Sequence, residues 1–256
     1  MNSPVLPPEL LHAIFDHFHR DDIMSLRNCS RVCKHWVSPS QHRLFADINL
    51  NTRTAKRFLR LLQSNSRPAI ASHVRTLHLH ALISIDWFLT SVPILAPYFQ
   101  HIASLELTIH ETSIHHGVRS PRDISVFPNS FRNITALEIW LTCETLHEVV
   151  AFISSFRFLE SLVIAATGWN SEEVPMTTTD EEDLTDIGFS AHLRRFQDRW
   201  VKAGLIRWLT QRRPLPLLST LSLDLHDVES GESIRPYLER QGTSLRHLTL
   251  ISKTSR

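Results

Sequence analysis

One six-residue motif, aliphatic-x-x-Leu-x-aliphatic, recurs through the second part of this 256-residue chain. Its first copy runs from Val74 to Leu79, and its last copy runs from Leu245 to Leu250. The central leucines of the copies are Leu77, Leu105, Leu137, Leu162, Leu221 and Leu248. Because side chains alternate between the two faces of a β-strand, the central leucine and the final aliphatic residue share one face. The motif therefore predicts a series of strands that each bury one face.

The spacing of the motif indicates how these strands are arranged. Successive central leucines are 28, 32, 25, 59 and 27 residues apart, and helix signals lie between them. An apolar face from Leu146 to Ile153 is one such signal, and a segment from Ser233 to Gln241 that Gly242 ends is another. Strand, loop and helix at about 28 residues per unit are typical of leucine-rich-repeat solenoids. The predicted fold class is α/β, with a curved parallel sheet.

The interval of 59 residues leaves two interpretations open. A degenerate copy of the motif at Leu193-Arg-Arg-Phe196 divides the interval into 34 and 25 residues. A helix with Leu193, Phe196, Trp200 and Val201 on one face fits the same residues. An acidic, threonine-rich stretch precedes this region near residues 168–188, and we expect an exposed insertion there.

The first 50 residues follow a different, helical pattern. Pro8 suits the first position of a helix, and an apolar stripe with Leu11 and Phe15 follows it at helical spacing. A second helix is predicted to run through Leu26 and to end before Pro39, and a short third element follows. So small a helical module has a marginal core of its own and usually needs a partner.

This N-terminal segment resembles the F-box family. The matching pieces, in the family's order and spacing, are Leu6-Pro7-Pro8-Glu9-Leu10-Leu11, Ile14-Phe15, Asp22-Ile23, Leu26, Val32-Cys33-Lys34-His35-Trp36 and Leu44-Phe45. The resemblance implies a three-helix module that docks on a Skp-type adaptor, which in turn binds a cullin and a RING subunit. It also implies that the repeats act as the substrate receptor of an SCF ubiquitin ligase.

Both the resemblance and the composition predict an adaptor-binding patch in this module. Its large apolar residues are too numerous for so small a module to hide, which predicts a protein interface. Packing of the same residues on the repeat domain is the alternative. The candidate adaptor-binding residues are Leu6, Pro7, Pro8, Leu10, Leu11, Ile14, Phe15 and Trp36.

The outward positions of the repeat strands form a second candidate surface. They carry His, Glu, Trp and Asp side chains, which suit recognition of an unknown protein substrate, and Trp140 is a candidate anchor. Ordinary solvated sheet residues are the alternative. The candidate substrate-binding residues are His78, His80, Glu106, Thr108, Glu138, Trp140, Ser222 and Asp224.

Motifs of metal and phosphate chemistry are incomplete in this sequence. His110 and His115 are five residues apart, whereas H-E-x-x-H needs two histidines on one helix face. Cys29 and Cys33 lack a second ligand pair at zinc spacing and are better interpreted as core residues. The six glycines are at least eleven residues apart, which excludes glycine-rich phosphate loops. We therefore expect no metal, no cofactor and no enzymatic activity.

Charge, cysteine content and segment lengths complete the prediction. A formal net charge of +1 argues against nucleic-acid binding through phosphate contacts, and we expect no membrane span. Three cysteines and the absence of a signal-peptide pattern favour a cytoplasmic or nuclear protein. The predicted divisions are residues 1–50 for the F-box module, 51–72 for a connecting helix and linker, and 73–256 for the repeats.

The predicted function is that of a non-catalytic substrate-recognition subunit of an SCF-type ligase. A scaffold that carries the same two parts but acts outside any ligase is the first alternative. A hydrolase whose active site the repeats conceal is an alternative from another class.

Overall fold

The structure is a computed structural model, and it describes ten segments of the chain. These segments are residues 6–18, 22–64, 69–81, 86–109, 126–142, 146–167, 190–199, 203–211, 215–225 and 228–252. The predicted insertion near residues 168–188 lies outside them. Within the described segments, no helix is both long enough and apolar enough to cross a membrane.

A parallel sheet organises the chain. The described residues contribute eight strands, whose order across the sheet is their order in the sequence, and each neighbouring pair is parallel. The strands are β1 (Asp47–Asn51), β2 (Thr76–Ala81), β3 (Ser104–Ile109), β4 (Ala136–Thr142), β5 (Ser161–Thr167), β6 (Arg195–Asp198), β7 (Thr220–Leu225) and β8 (His247–Ser252). Such a sequential order means that each repeat contacts chiefly its two neighbours. The α/β fold with a curved, leucine-rich-repeat-like sheet is confirmed.

Helices precede the sheet and connect several of its strands. The α-helices are α1 (Pro8–Asp16), α2 (Ile23–Cys29), α3 (Lys34–Phe45), α4 (Thr52–Gln63), α5 (Ala69–Ser72), α6 (Asp86–Leu95), α7 (Val126–Ser130), α8 (Leu146–Ser154), α9 (Ala203–Gln211) and α10 (Val228–Gln241). Short 3-10 turns follow α6 at Ala96–Tyr98 and α10 at Gly242–Ser244. Gly242 has a φ of +55°, which a glycine adopts without a Cβ penalty, so the predicted left-handed stop after the last helix is confirmed.

The central leucines of the motif form one row across the sheet. Leu77 pairs in register with Ile48 on one side and with Leu105 on the other, and the row continues through Leu221 to Leu248. The predicted burial is wrong for the last copy of the motif, because Leu248 and Leu250 on β8 are 45% and 47% exposed. Leu77, Leu105 and Leu221 are at most 1% exposed. Because residues two apart on a strand share a face, this row and the row two residues later build the core together.

The long interval between motif copies contains a strand. Phe196 of β6 pairs with Leu162 on β5 and with Leu221 on β7, and it is 1% exposed. The strand interpretation of this segment is therefore correct, and the helical one is wrong for residues 195–198. The phenylalanine occupies the place that a leucine fills in the other copies, which explains why the motif is degenerate here.

The sheet begins earlier than the sequence analysis placed it. Asp47–Asn51 forms strand β1 and pairs with β2, so the sheet already begins within the segment that was assigned to the N-terminal module. Residues 45–50, Phe-Ala-Asp-Ile-Asn-Leu, resemble the motif, with Phe45 in place of the first aliphatic residue and Ile48 in place of the central leucine. Asn51 then caps α4, because its Oδ1 accepts hydrogen bonds from the N–H groups of Arg53 (3.0 Å) and Thr54 (3.1 Å).

The N-terminal module consists of α1, α2 and α3 around a small core. Leu11, Phe15 and Leu26 are the buried members of this core, and Trp36 packs against them. The Trp36 ring meets the Phe15 ring edge-on, with 5.6 Å between centroids. A core of this size stabilises a separate module only weakly.

Helix α3 connects the module to the repeats. It continues through Pro39, so the predicted end of a helix at this proline is wrong; Pro39 is buried within α3. Arg43 donates hydrogen bonds to the Phe18 carbonyl oxygen from Nε (3.2 Å) and Nη2 (3.0 Å). The next two residues pack on different cores: Leu44 contacts the module core, and Phe45 contacts the repeat core. The two parts are therefore joined by a continuous helix and strand.

A buried glutamine ties the last described helix to the strand before it. The Gln241 side chain is 3% exposed overall and accepts a hydrogen bond from the Leu218 N–H at 3.1 Å. Its Nε2 donates to the Pro216 carbonyl oxygen at 2.6 Å and to the Tyr237 hydroxyl at 2.7 Å. Burial raises the pKa of Tyr237 above its usual value, so the hydroxyl stays protonated. The network satisfies the backbone where the chain enters β7.

Replacing this glutamine tests how much the network stabilises the repeats. Gln241→Ala should lower the free energy of unfolding by about 1–3 kcal/mol, because the Leu218 N–H, the Pro216 carbonyl oxygen and the Tyr237 hydroxyl lose their hydrogen bonds to its buried side chain. Urea denaturation measures the loss. Arg235→Ala is the control, since the Arg235–Glu239 ion pair lies on the same helix with exposed side chains; it should change stability by less than about 1 kcal/mol. Equal effects of the two variants would contradict the assigned role.

Candidate functional site

Helix α1 has apolar side chains on two faces. Leu11 and Phe15 are 3% and 1% exposed, whereas Leu10 and Ile14 are 52% and 46% exposed. Residues four apart lie on the same side of a helix, so Leu10 and Ile14 form one exposed apolar stripe. Leu6, just before the helix, is 44% exposed. The module core is thus built without this stripe, and a second apolar surface is left open to solvent.

The predicted adaptor-binding set therefore divides into two groups. Leu6, Leu10 and Ile14 are exposed, as is Pro7, and Pro8 begins α1 with its side chain outside the described part of the structure. By contrast, the structure buries the remaining members of α1. Including Leu11 and Phe15 in an exposed patch was wrong, because both fill the core of their own module, and Trp36 is half-buried against the Phe15 ring.

Sequence reasoning missed part of the exposed apolar surface. Ile23 and Met24 at the start of α2 are 54% and 64% exposed, and Val32 between α2 and α3 is 64% exposed. The signal was available in α2, where Leu26 is the residue that fills the core. Met24 lies two residues from Leu26, about 200° around the helix, and an apolar residue turned away from the core-facing side has no place in so small a core.

The polar face of the sheet holds the second set of candidates in register. Glu106 on β3 pairs with His78 on β2 and with Glu138 on β4. Two residues further along the strands, Thr108 pairs with His80 and with Trp140. The structure therefore brings six of the eight predicted residues together on β2, β3 and β4.

The other two predicted residues lie farther along the sheet. Ser222 is in the same cross-strand row as Glu138, with Val163 and Gln197 between them. Three strand spacings separate the two, which corresponds to about 14 Å. Asp224 pairs with Ile251 on β8. These two residues do not contact the β2–β4 group directly.

A buried histidine joins two carboxylates across the first three strands. His78 is 7% exposed, with Nε2 at 2.9 Å from Asp47 Oδ1 and Nδ1 in a close contact with Glu106 Oε2. Both ring nitrogens thus face carboxylate oxygens, and a doubly protonated ring donates to both. His78 was predicted to be an outward recognition residue. Its side chain lies on the polar face of the sheet, but Asp47 and Glu106 cover it. It therefore positions these two carboxylates instead of being exposed to a partner itself.

An arginine, a tryptophan and a glutamate form a second cluster on this face. The Arg199 guanidinium carbon lies 4.5 Å from the centroid of the Trp140 ring. Glu138 Oε1 accepts from Trp140 Nε1 at 2.9 Å and pairs with Arg199 Nη2 at 3.2 Å. The cation–π contact and the ion pair hold Trp140 in one orientation. A large half-buried side chain held in this way suits the anchor of a protein-binding surface.

Two members of these clusters, Asp47 and Arg199, were missed by sequence reasoning. Asp47 lies on β1, which the sequence analysis did not assign to the sheet, and Arg199 directly follows β6, whose identity was left open. Their positions follow from the motif copies centred on Ile48 and Phe196. The signal was therefore present, but it was weakened because neither copy has leucine at the centre.

The described residues contain no group of three or more His, Cys, Asp or Glu side chains that could hold a metal ion. Cys29 and Cys33 are free thiols, and Cys29 packs against the module core. The segment with His110 and His115 lies outside the described residues.

Comparison with known proteins assigns the N-terminal module. Residues 4–51 match the F-box-like family model. This chain carries an F-box-like domain. Domains of this family generally bind Skp-type adaptors, and F-box proteins with leucine-rich-repeat-like folds are typically non-catalytic adaptors. Here the F-box-like domain is joined to a leucine-rich-repeat-like sheet.

Two further comparisons concern the whole chain. The crystal structure of the leucine-rich repeat-containing protein LegL7 from Legionella pneumophila is similar at 14% sequence identity and a TM-score of 0.47. The match covers 85% of this chain and 70% of that chain. A search of curated proteins gave no match.

The His78 contacts generate a stability prediction. His78→Ala should lower the free energy of unfolding by about 1.5–3 kcal/mol, because Asp47 and Glu106 lose the hydrogen-bond donor between them. Chemical denaturation at neutral pH measures the change. His147→Ala is the control, because His147 is exposed on α8, and it should leave the denaturation midpoint nearly unchanged. A His78→Ala variant as stable as the control would show that the contacts do not hold the strands together.

Proposed function

We propose that this protein is the substrate-recognition subunit of an SCF-type ubiquitin ligase. The exposed apolar surface of the F-box-like domain binds a Skp-type adaptor and, through it, a cullin and a RING subunit. The polar face of the sheet binds the target protein. The protein acts in the cytoplasm or the nucleus and catalyses no reaction itself.

The exposed stripe of α1 is the observation that carries this proposal. Leu10 and Ile14 are 52% and 46% exposed, although the domain core on the other side of the helix is complete. Burying a leucine or isoleucine side chain is worth about 1.5–3 kcal/mol, so a partner that covers both gains substantial binding energy. In an F-box-like domain, a Skp-type adaptor is the partner that this surface suits.

The joint between the two parts supports a role in positioning. Since α3 runs directly into β1, a target on the sheet is held in a defined direction from the adaptor-binding surface. Such a receptor accelerates ubiquitin transfer by proximity, because it raises the effective concentration of target lysines near the ligase. No catalytic residue is needed for this effect.

Charge placed on the α1 stripe tests adaptor binding. Leu10→Glu combined with Ile14→Glu should weaken the affinity for a purified Skp-type adaptor by about 100-fold or more, because two buried apolar side chains become charged. Calorimetry measures the affinity, and circular dichroism should show an unchanged fold. Lys56→Glu with Arg57→Glu, at exposed positions of α4, adds the same number of acidic residues and should leave the affinity unchanged.

Phe15 separates loss of the interface from loss of the fold. Phe15→Ala should destabilise the module by about 3–5 kcal/mol because its ring is in the core. It should therefore abolish binding and reduce the helical signal by the contribution of α1, α2 and α3. Full adaptor affinity in the Leu10 and Ile14 variant would overturn the proposed docking surface.

Trp140 tests the target-binding role of the sheet. Trp140→Ala should reduce capture of target proteins from proteasome-blocked cells while adaptor and cullin capture stay at wild-type levels. The same proteins should lose ubiquitination. The Lys56→Glu and Arg57→Glu variant again serves as the control. Adaptor capture without cullin capture would favour the scaffold outside a ligase, and unchanged targets in the Trp140→Ala sample would count against recognition by this face.

A further inference from the structure

Three histidine rings meet where the F-box-like domain contacts the first repeats. His12 lies on α1, His42 lies on α3, and His73 directly follows α5. The His12 and His42 rings are edge-on with 5.7 Å between centroids, and the His42 and His73 rings are 5.0 Å apart. The three side chains come from separate elements, so their contact depends on how the domain sits against the repeats.

The central contact is a hydrogen bond between two imidazoles. His42 Nδ1 and His73 Nδ1 are 3.2 Å apart. A neutral imidazole has one N–H donor and one bare nitrogen acceptor, whereas a protonated imidazole has two donors and no acceptor. The contact therefore requires that at least one of the two rings be neutral. When both rings are protonated, two N–H groups and two positive charges face each other.

The surrounding charges also oppose protonation of this pair. Burial lowers the pKa of both His42 and His73, and His12 and Arg75 lower both further. Arg43 on α3 has the same effect on His42, while Asp16 on α1 acts in the opposite direction. One carboxylate thus faces several cationic or titratable groups, and the cluster does not readily accept two protons.

We propose that His12, His42 and His73 form a pH-sensitive contact that holds the F-box-like domain against the first repeats and opens when His42 and His73 are both protonated. The neighbouring backbone would transmit the opening, because the Ala46 carbonyl oxygen accepts hydrogen bonds from the N–H groups of Arg75 (2.8 Å) and Thr76 (2.9 Å). Ala46 directly follows α3, and Thr76 begins β2.

The direction of the pH effect follows from the lowered pKa values. In the closed contact both rings have a pKa below the ordinary value of 6.5, and in the opened form they return toward it. The opened form therefore binds more protons, so the closed contact is fully favoured above pH 6.5 and weakens as the pH falls below it. This inference does not depend on which partner the F-box-like domain binds.

Hydrogen exchange of the intact chain tests the contact. Between about pH 7.5 and about pH 5.5, across the range in which histidine titrates, protection factors of the His73 to Thr76 amides should fall severalfold. Protection in β4 should stay constant, because β4 lies two strands away from the junction at β2. The combined variant His42→Gln and His73→Gln should show no fall at the junction. His147→Gln, which removes an exposed histidine on α8, should behave like the wild type.

Two outcomes would overturn the proposal. One is constant protection at the junction in the wild type, and the other is an equal fall in the combined glutamine variant. If the combined variant does not fold, titration of the wild-type histidines followed by NMR tests the His42–His73 contact instead. His42 and His73 should then gain protons below the ordinary histidine pKa of 6.5 and with mutually dependent curves. Independent titration of the two rings at ordinary pH would contradict the contact.

Discussion

The in-register burial of apolar side chains on strands β1 to β7 is the interaction on which this structure depends. Ile48, Leu77, Leu105, Leu137, Leu162, Phe196 and Leu221 lie side by side across parallel strands, and each is less than 10% exposed. A shift of one residue in any strand would turn its apolar side chains toward solvent. The same alternation directs every intervening side chain to the open face, so the core pattern also determines which residues are available for recognition.

The first repeat gives the N-terminal domain its support. A helical module with three fully buried apolar residues would be marginal alone, but α3 contributes Leu44 to that core and Phe45 to the repeat core. Adjacent helix residues point in different directions, which allows one helix to serve both. The domain can therefore leave a whole stripe of α1 uncovered, because its stability does not rest on burying that stripe. The connection from α3 to β1 therefore allows an exposed interface on α1 and also fixes the orientation of that interface relative to the sheet.

Hydrophobic periodicity predicted the repeat class and the polar face, because it reports directly on which side of an element is buried. The three-helix module was instead implied by the resemblance to the F-box family. The errors of the sequence analysis have physical causes. β1 carries Ile48 in place of the central leucine and was passed over, whereas Phe196 in β6 left the strand and helix interpretations both open. Leu11 and Phe15 were grouped with Leu10 and Ile14, although a rotation of about 100° per residue separates the buried side of α1 from the exposed side. The His42–His73 contact depends on the packing of distant segments, which local patterns do not encode.

The solvent exposure of the Leu10 and Ile14 methyl groups, with and without a purified Skp-type adaptor, tests the central claim most directly. A soluble paramagnetic probe should broaden their NMR signals in the free chain, and saturating adaptor should abolish that broadening. Leu248 and Leu250 on β8, which are also exposed, should remain accessible in both states. If Leu10 and Ile14 stay as accessible in the complex as in the free chain, the α1 stripe is not the surface that the adaptor covers.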